Sequence, residues 1–209
     1  MQDDAGEFEL AFRSYTLGAA LARTKRLYDP QKDAANANSL TLTYTHDAFS
    51  TLAKSEATVE PIFIIAPPRS GTTLLSQLLT QHRNVSTVGE SNLAQAAMMP
   101  IRGFSLGHVS AFDGAHGANG WTRLGDTIAR LLAERAQSDG SARIVDKTLN
   151  TLRLLGPLSI AVPRAKFIRL TRDPRDVATS CFRTYFTEGL GWTFSLEHIA
   201  SPCQPRFRR

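Results

Sequence analysis

Two cysteines among 209 residues, Cys181 and Cys203, are too few for a disulfide framework or a thiolate metal cluster, and they fit a reducing compartment. No apolar run approaches the ~20 residues that a membrane span requires. The opening MQDDAGEFEL is acidic, where a signal peptide would be basic and then apolar. These absences predict a soluble, cytoplasmic chain with no membrane span. Charge of one sign is also limited: the formal net charge is +5, part of it in the final RFRR. That balance suits anionic ligands. No basic stripe interleaved with aromatics accompanies it, so nucleic acid is not expected as a partner. His108 and His116 lack a third ligand at suitable spacing, and no metal site is expected. What is present is a 42% hydrophobic composition, enough for one well-buried domain and an appendage.

The stretch 61–90, PIFIIAPPRSGTTLLSQLLTQHRNVSTVGE, is the most informative. Ile62–Ala66 is a short apolar, β-branched run and predicts a buried strand. Two prolines, an arginine and a Ser-Gly pair interrupt it. A helix is predicted over Thr72–His82, with leucines 74, 75, 78 and 79 on one face. Strand, tight glycine loop and helix together present backbone N–H groups and a helix dipole to an anion. Gly71 permits close backbone approach, Thr72 and Thr73 add hydroxyls, and Arg69 adds a forked cation suited to phosphate or sulfate. The loop is not G-x-x-x-x-G-K-[ST], because it lacks the lysine of that motif.

Before this stretch, Glu7–Ala22 places Phe8, Phe12, Tyr15 and Ala19 at helical spacing, and Tyr28-Asp29-Pro30 ends that helix. Residues 33–38 read as a linker or the start of a second helix. After it, Val85–Val88 is a short strand ending near Glu90. Residues 100–120, rich in glycine, read as a long loop of the kind that binds an acceptor, and Trp121–Ala136 as a helix. A strand over Ser141–Val145 ends at Asp146-Lys147-Thr148, and Leu149–Val162 is helical with a kink at Gly156-Pro157. Lys166–Leu170 is a further strand. Asp173 then caps a helix whose first residue is Pro174 and which contains Ser180. Cys181, four residues from both Val177 and Tyr185, belongs to the core.

P-R-S-G-T-T at 68–73 resembles the 5′-phosphosulfate loop of sulfotransferases that use 3′-phosphoadenosine 5′-phosphosulfate (PAPS). Arg172 and Ser180 have the separation of the arginine and serine that bind the nucleotide 3′-phosphate there. D-K at 146–147 resembles the segment supplying a lysine for the departing charge. Glu90 lies where glutamate-dependent members, tyrosylprotein sulfotransferases among them, carry a general base. The N-terminal helix resembles the last helix of a tetratricopeptide array joined to such a domain in bacteria. The resemblance implies a three-layer, P-loop-like α/β domain with a mainly parallel sheet over 60–200. A helical segment and linker (1–59) precede it, and an irregular basic tail (201–209) follows.

It also implies sulfuryl transfer from PAPS as co-substrate, without a metal, to a hydroxyl or amine. Glu90, Lys147 and Arg69 would be catalytic. Arg69, Ser70, Gly71, Thr72, Thr73, Arg172 and Ser180 would bind the donor. The acceptor class is left open among protein, peptide, sugar and small molecule, as is the oligomeric state. SPCQPRFRR departs from the family pattern, which continues into a glycine- and basic-rich closing segment, so the sequence reads as a fragment or a frame-shifted end. The alternatives are an inactive nucleotide-binding or scaffold remnant and a nucleotide kinase with a variant phosphate loop. The absent lysine argues against the kinase.

Overall fold

The computed structural model describes residues 2–137, 143–149, 151–187 and 189–200. In chain order the elements begin α1 (Phe8–Lys25), α2 (Pro30–Thr43), α3 (His46–Ser50), β1 (Ile62–Ile65), α4 (Thr72–Leu79) and β2 (Val85–Gly89). They continue α5 (Leu93–Ala97), α6 (Leu106–Ala136), β3 (Arg143–Asp146), α7 (Leu155–Ala161), β4 (Lys166–Arg169), α8 (Pro174–Phe182) and α9 (Leu196–Ala200). Single 3₁₀ turns occupy Met99–Ile101, Thr151–Leu154 and Gly191–Phe194. The chain packs as two units. One holds the described residues of Met1–Ala37, Pro67–Ser70 and Thr171–Arg209, and the other those of Asn38–Ala66 and Gly71–Leu170.

The second unit carries the sheet, four strands in the order β2-β3-β1-β4 with every pair parallel. Successive side chains of β1 point to opposite faces, as the period of a strand requires. Phe63 joins a core with Trp121, Ile128 and Leu132 of α6 and Leu158 of α7. Ile62 and Ile64 join Val145 on the other face, where Leu75 and Leu79 of α4 cover them. Helices on both faces of a parallel sheet make the three-layer α/β arrangement expected from the sequence. Among the described residues no helix is long and apolar enough to cross a membrane.

Several expectations are corrected. The four leucines of α4 do not share one buried face: Leu75 and Leu79 pack on the sheet, whereas Leu74 and Leu78 are 62% and 61% exposed. The inner face is completed by Thr72 and Ser76, both buried. Residues 106–120 are helical and not a loop. Ser105 caps α6 by accepting from the His108 N–H, and Val109 and Phe112 are buried. Gly117, at φ 54, breaks the helical backbone, so the glycines mark a kink within a packed helix. Packing overrides propensity here. In α1 the buried residues are Ala11, Ala19 and Ala22, while Phe8 and Phe12 are largely exposed. Gly156-Pro157 falls in the first turn of α7, after a 3₁₀ turn, and a proline there displaces no helical hydrogen bond. The strand over 141–145 is observed from Arg143, and Ser141 and Ala142 lie outside the described residues, as does the 201–209 tail.

One glycine sets the spacing of α6 against α7. A Cβ at Gly125 would lie 2.3 Å from the Ala161 carbonyl oxygen and 2.6 Å from the Ala57 Cβ. Backbone cannot yield as a flexible side chain can, so Gly125→Ala is expected to cost roughly 1–3 kcal/mol through overpacking. Chemical denaturation measures this directly. A variant with parental stability would show that the two helices are free to separate.

Candidate active site

In the sheet-bearing unit, β1, β2 and β3 run parallel, so their C-terminal ends share one edge, where ligands bind in open α/β folds. Glu90 directly follows β2 and Lys147 directly follows β3. The Lys147 ammonium donates to Glu90 Oε1 at 2.8 Å. The lysine side chain is 13% exposed and the glutamate 47%, so Lys147 is not a solvated turn residue. Two catalytic candidates read separately from the sequence therefore form one ion pair. In the same unit α4 starts at Gly71, whose φ of 97 is one that side-chain-bearing residues rarely adopt, and no side chain caps this helix end. Its first N–H groups thus face outward along the helix axis, as an anion cradle needs. Thr72 is buried and Thr73 is exposed.

In the other unit, Arg69 Nε donates to Ser180 Oγ at 2.9 Å, joining residues 111 positions apart. Arg172 Nη1 donates to the Arg69 carbonyl oxygen at 3.4 Å, and Arg172 also reaches Asp176 Oδ2 at 3.3 Å. Arg69, Arg172 and Ser180 thus come together. Arg69 itself sits at φ 65, a left-handed conformation that costs about 1–3 kcal/mol outside glycine and clusters at ligand sites. Ser70 is 6% exposed, and its hydroxyl is buried with no hydrogen-bond partner. A buried polar group is ordinarily paired, so an orphaned hydroxyl in an anion loop is one that a ligand oxygen would satisfy. Cys181 is fully buried and donates to the Pro68 carbonyl oxygen at 3.6 Å. Burial pushes its thiol up to about 12, against a smaller opposing effect of the Arg69 charge, so it is an inert core residue.

A sequence model of the Sulfotransferase family matches residues 61–209, most of the chain. The chain belongs to the sulfotransferase family. It is also similar to an uncharacterized protein of Aquifex aeolicus (strain VF5), at 31% identity over a stretch covering 66% of this chain and 19% of that relative. The matched stretch is thus about a fifth of the relative's length.

Some participants carry little signal in the sequence. Asp176, in the first turn of α8, braces Arg172, and their i, i+4 spacing is the signal the sequence offers for it. Asp146, Ser91 and Thr148 were given no role, although the structure joins them around the Glu90–Lys147 pair. Among the described residues no three of His, Cys, Asp and Glu assemble as a metal-ligand set.

The start of α8 carries a pH-dependent feature. Asp173 Oδ1 accepts from the Arg175 N–H at 2.8 Å, and its carboxylate pairs with the Arg175 guanidinium. That side-chain pairing, then the backbone bond, holds the Asp173 carboxyl down at about 2. Because the folded value is depressed, the stabilisation is present above the ordinary carboxylate value near ~4 and is lost as pH falls through about 2. The first turn of α8 should therefore loosen across that window. Asp173→Asn, which caps without titrating, should show no such step. NMR of the Arg175 amide resonance during acid titration checks this.

Proposed function

We propose that this protein moves a sulfuryl group from PAPS to an acceptor hydroxyl or amine. The observation that carries the reading is the convergence of Arg69, Arg172 and Ser180 in one unit. The Arg172 guanidinium and the Ser180 hydroxyl, both in contact with Arg69, match a phosphate carrying a double negative charge, in the forked geometry that arginine offers. Arg172 and Ser180 take the 3′-phosphate of the donor. Arg69, Ser70, Gly71, Thr72 and Thr73 hold its phosphosulfate, through backbone N–H groups, hydroxyls and the arginine charge.

Glu90 takes the proton of the acceptor hydroxyl as its oxygen forms a bond to sulfur. The bond between sulfur and the bridging phosphate oxygen breaks, and its electron pair leaves with 3′,5′-adenosine diphosphate. Lys147 stabilises the negative charge that develops during this exchange. Catalysis is then mainly positioning and charge stabilisation, as in phosphoryl transfer. Incubation with PAPS and a panel of phenols, sugars and peptides tests the reading. Acceptor-dependent release of 3′,5′-adenosine diphosphate is expected. Release no faster than in buffer with every acceptor would contradict it.

A further inference from the structure

Asp146 is fully buried, yet the chemistry just described gives it no part. A carboxylate without solvent is costly to keep unless its geometry is used, because desolvation is not recovered by ordinary pairing. Asp146 Oδ2 accepts from the Ser91 hydroxyl at 3.0 Å, and Oδ1 accepts from the Thr148 N–H at 2.7 Å. Ser91 is the neighbour of Glu90, and Asp146 and Thr148 flank Lys147. Two further bonds reinforce the link: Lys147 N–H donates to the Gly89 carbonyl at 3.0 Å, and Asn92 N–H donates to the Thr148 side chain, at Oγ1, at 3.1 Å. The segments 89–92 and 146–148 are therefore laced together on both sides of the Glu90–Lys147 ion pair.

We propose that Asp146, through Ser91, is the positioning residue that fixes the Glu90 carboxylate and the Lys147 ammonium relative to one another. This rests on Glu90 and Lys147 being the base and the charge-stabilising group. Of the three bonds that join the two segments beside the ion pair, the Ser91–Asp146 bond, 55 positions apart in sequence, is the one made by two side chains. The Asp146–Thr148 bond is local and only shapes the turn. Without this bond each loop keeps its fold and the two remaining links still join them, but the frame that holds Glu90 and Lys147 relative to one another loosens. Displacements of about 1 Å are enough to cost on the order of 100-fold in rate.

The test compares Ser91→Ala, Asp146→Asn and Ser91→Thr with the parent by amide hydrogen exchange. Ser91→Ala is expected to accelerate exchange at Lys147 and Asn92 by about ten-fold or more, while amides of β1 and β4 stay within about two-fold. Asp146→Asn should act in the same direction, and Ser91→Thr, which restores the hydroxyl, should return parental values. Affinity for 3′,5′-adenosine diphosphate should not change. With PAPS and the best acceptor, kcat should fall by about ten- to 100-fold at unchanged donor KM. Parental exchange at Lys147 and Asn92 in Ser91→Ala overturns the proposal. So does acceleration spread equally over the sheet, which would make the network a general stabiliser. Glu90→Gln separates the two levels: parental turnover there would remove the base assignment while leaving the exchange result standing.

Discussion

Glu90→Gln is expected to lower turnover with PAPS by about two to four orders of magnitude, the usual scale of general base catalysis. Glutamine keeps the shape of the side chain and can still accept from Lys147, so the segment around it should hold its conformation. It cannot take a proton from the acceptor oxygen. Affinity for 3′,5′-adenosine diphosphate should be unchanged, because no donor-binding role is assigned to Glu90. The pairing at 2.8 Å with a lysine that is mostly shielded from solvent argues that Glu90 is part of a site. A solvated surface glutamate would tolerate the change. Steady-state kinetics at saturating donor distinguish the two: a rate within a few-fold of the parent would return Glu90 to the ordinary surface.

Arg172→Ala is expected to reduce the preference for 3′,5′-adenosine diphosphate over 5′-AMP by about ten- to 100-fold. A charge-assisted hydrogen bond contributes about 1.5–3 kcal/mol, which converts to that range. The contacts Arg172 makes at 3.3–3.4 Å, to Asp176 and to the Arg69 carbonyl, are long for bonds of this type. They hold the guanidinium in place and still let it turn toward a stronger acceptor. Affinity for 5′-AMP should change little, since that nucleotide offers Arg172 no phosphate. Loss of affinity for both nucleotides to the same degree would show that Arg172 supports the loop and does not read the 3′-phosphate.

Much of this was legible in the sequence because the informative signals are local. The β-branched run at 62–65 and the apolar residues of 166–170 gave two of the parallel strands, and Pro67, Pro68 and Gly71 marked the loop between strand and helix. Asp173-Pro174 marked the start of α8, whose cap is observed. Arg172 and Ser180 were singled out by the resemblance to PAPS sulfotransferases, and the structure brings Arg69 to them.

What was not legible depends on distant packing. Glycines 107, 114 and 120 suggested a loop, yet α6 runs through them because Val109, Phe112 and Trp121 are buried against other elements. A Cβ at Gly120 would lie 2.3 Å from the His116 Cβ, a constraint that composition cannot reveal. The faces of α1 and α4 followed the same logic. Periodicity finds a helix, but the neighbouring surface decides which side is covered. Asp146 escaped notice because a buried carboxylate looks in sequence like any acidic residue at the end of a strand.

The most direct test of the account is calorimetric titration of the parent chain with 3′,5′-adenosine diphosphate and with 5′-AMP under the same conditions. These nucleotides differ only in the group that Arg172 and Ser180 are proposed to read. The account predicts tighter binding of 3′,5′-adenosine diphosphate by at least about ten-fold. Equal affinities would contradict it.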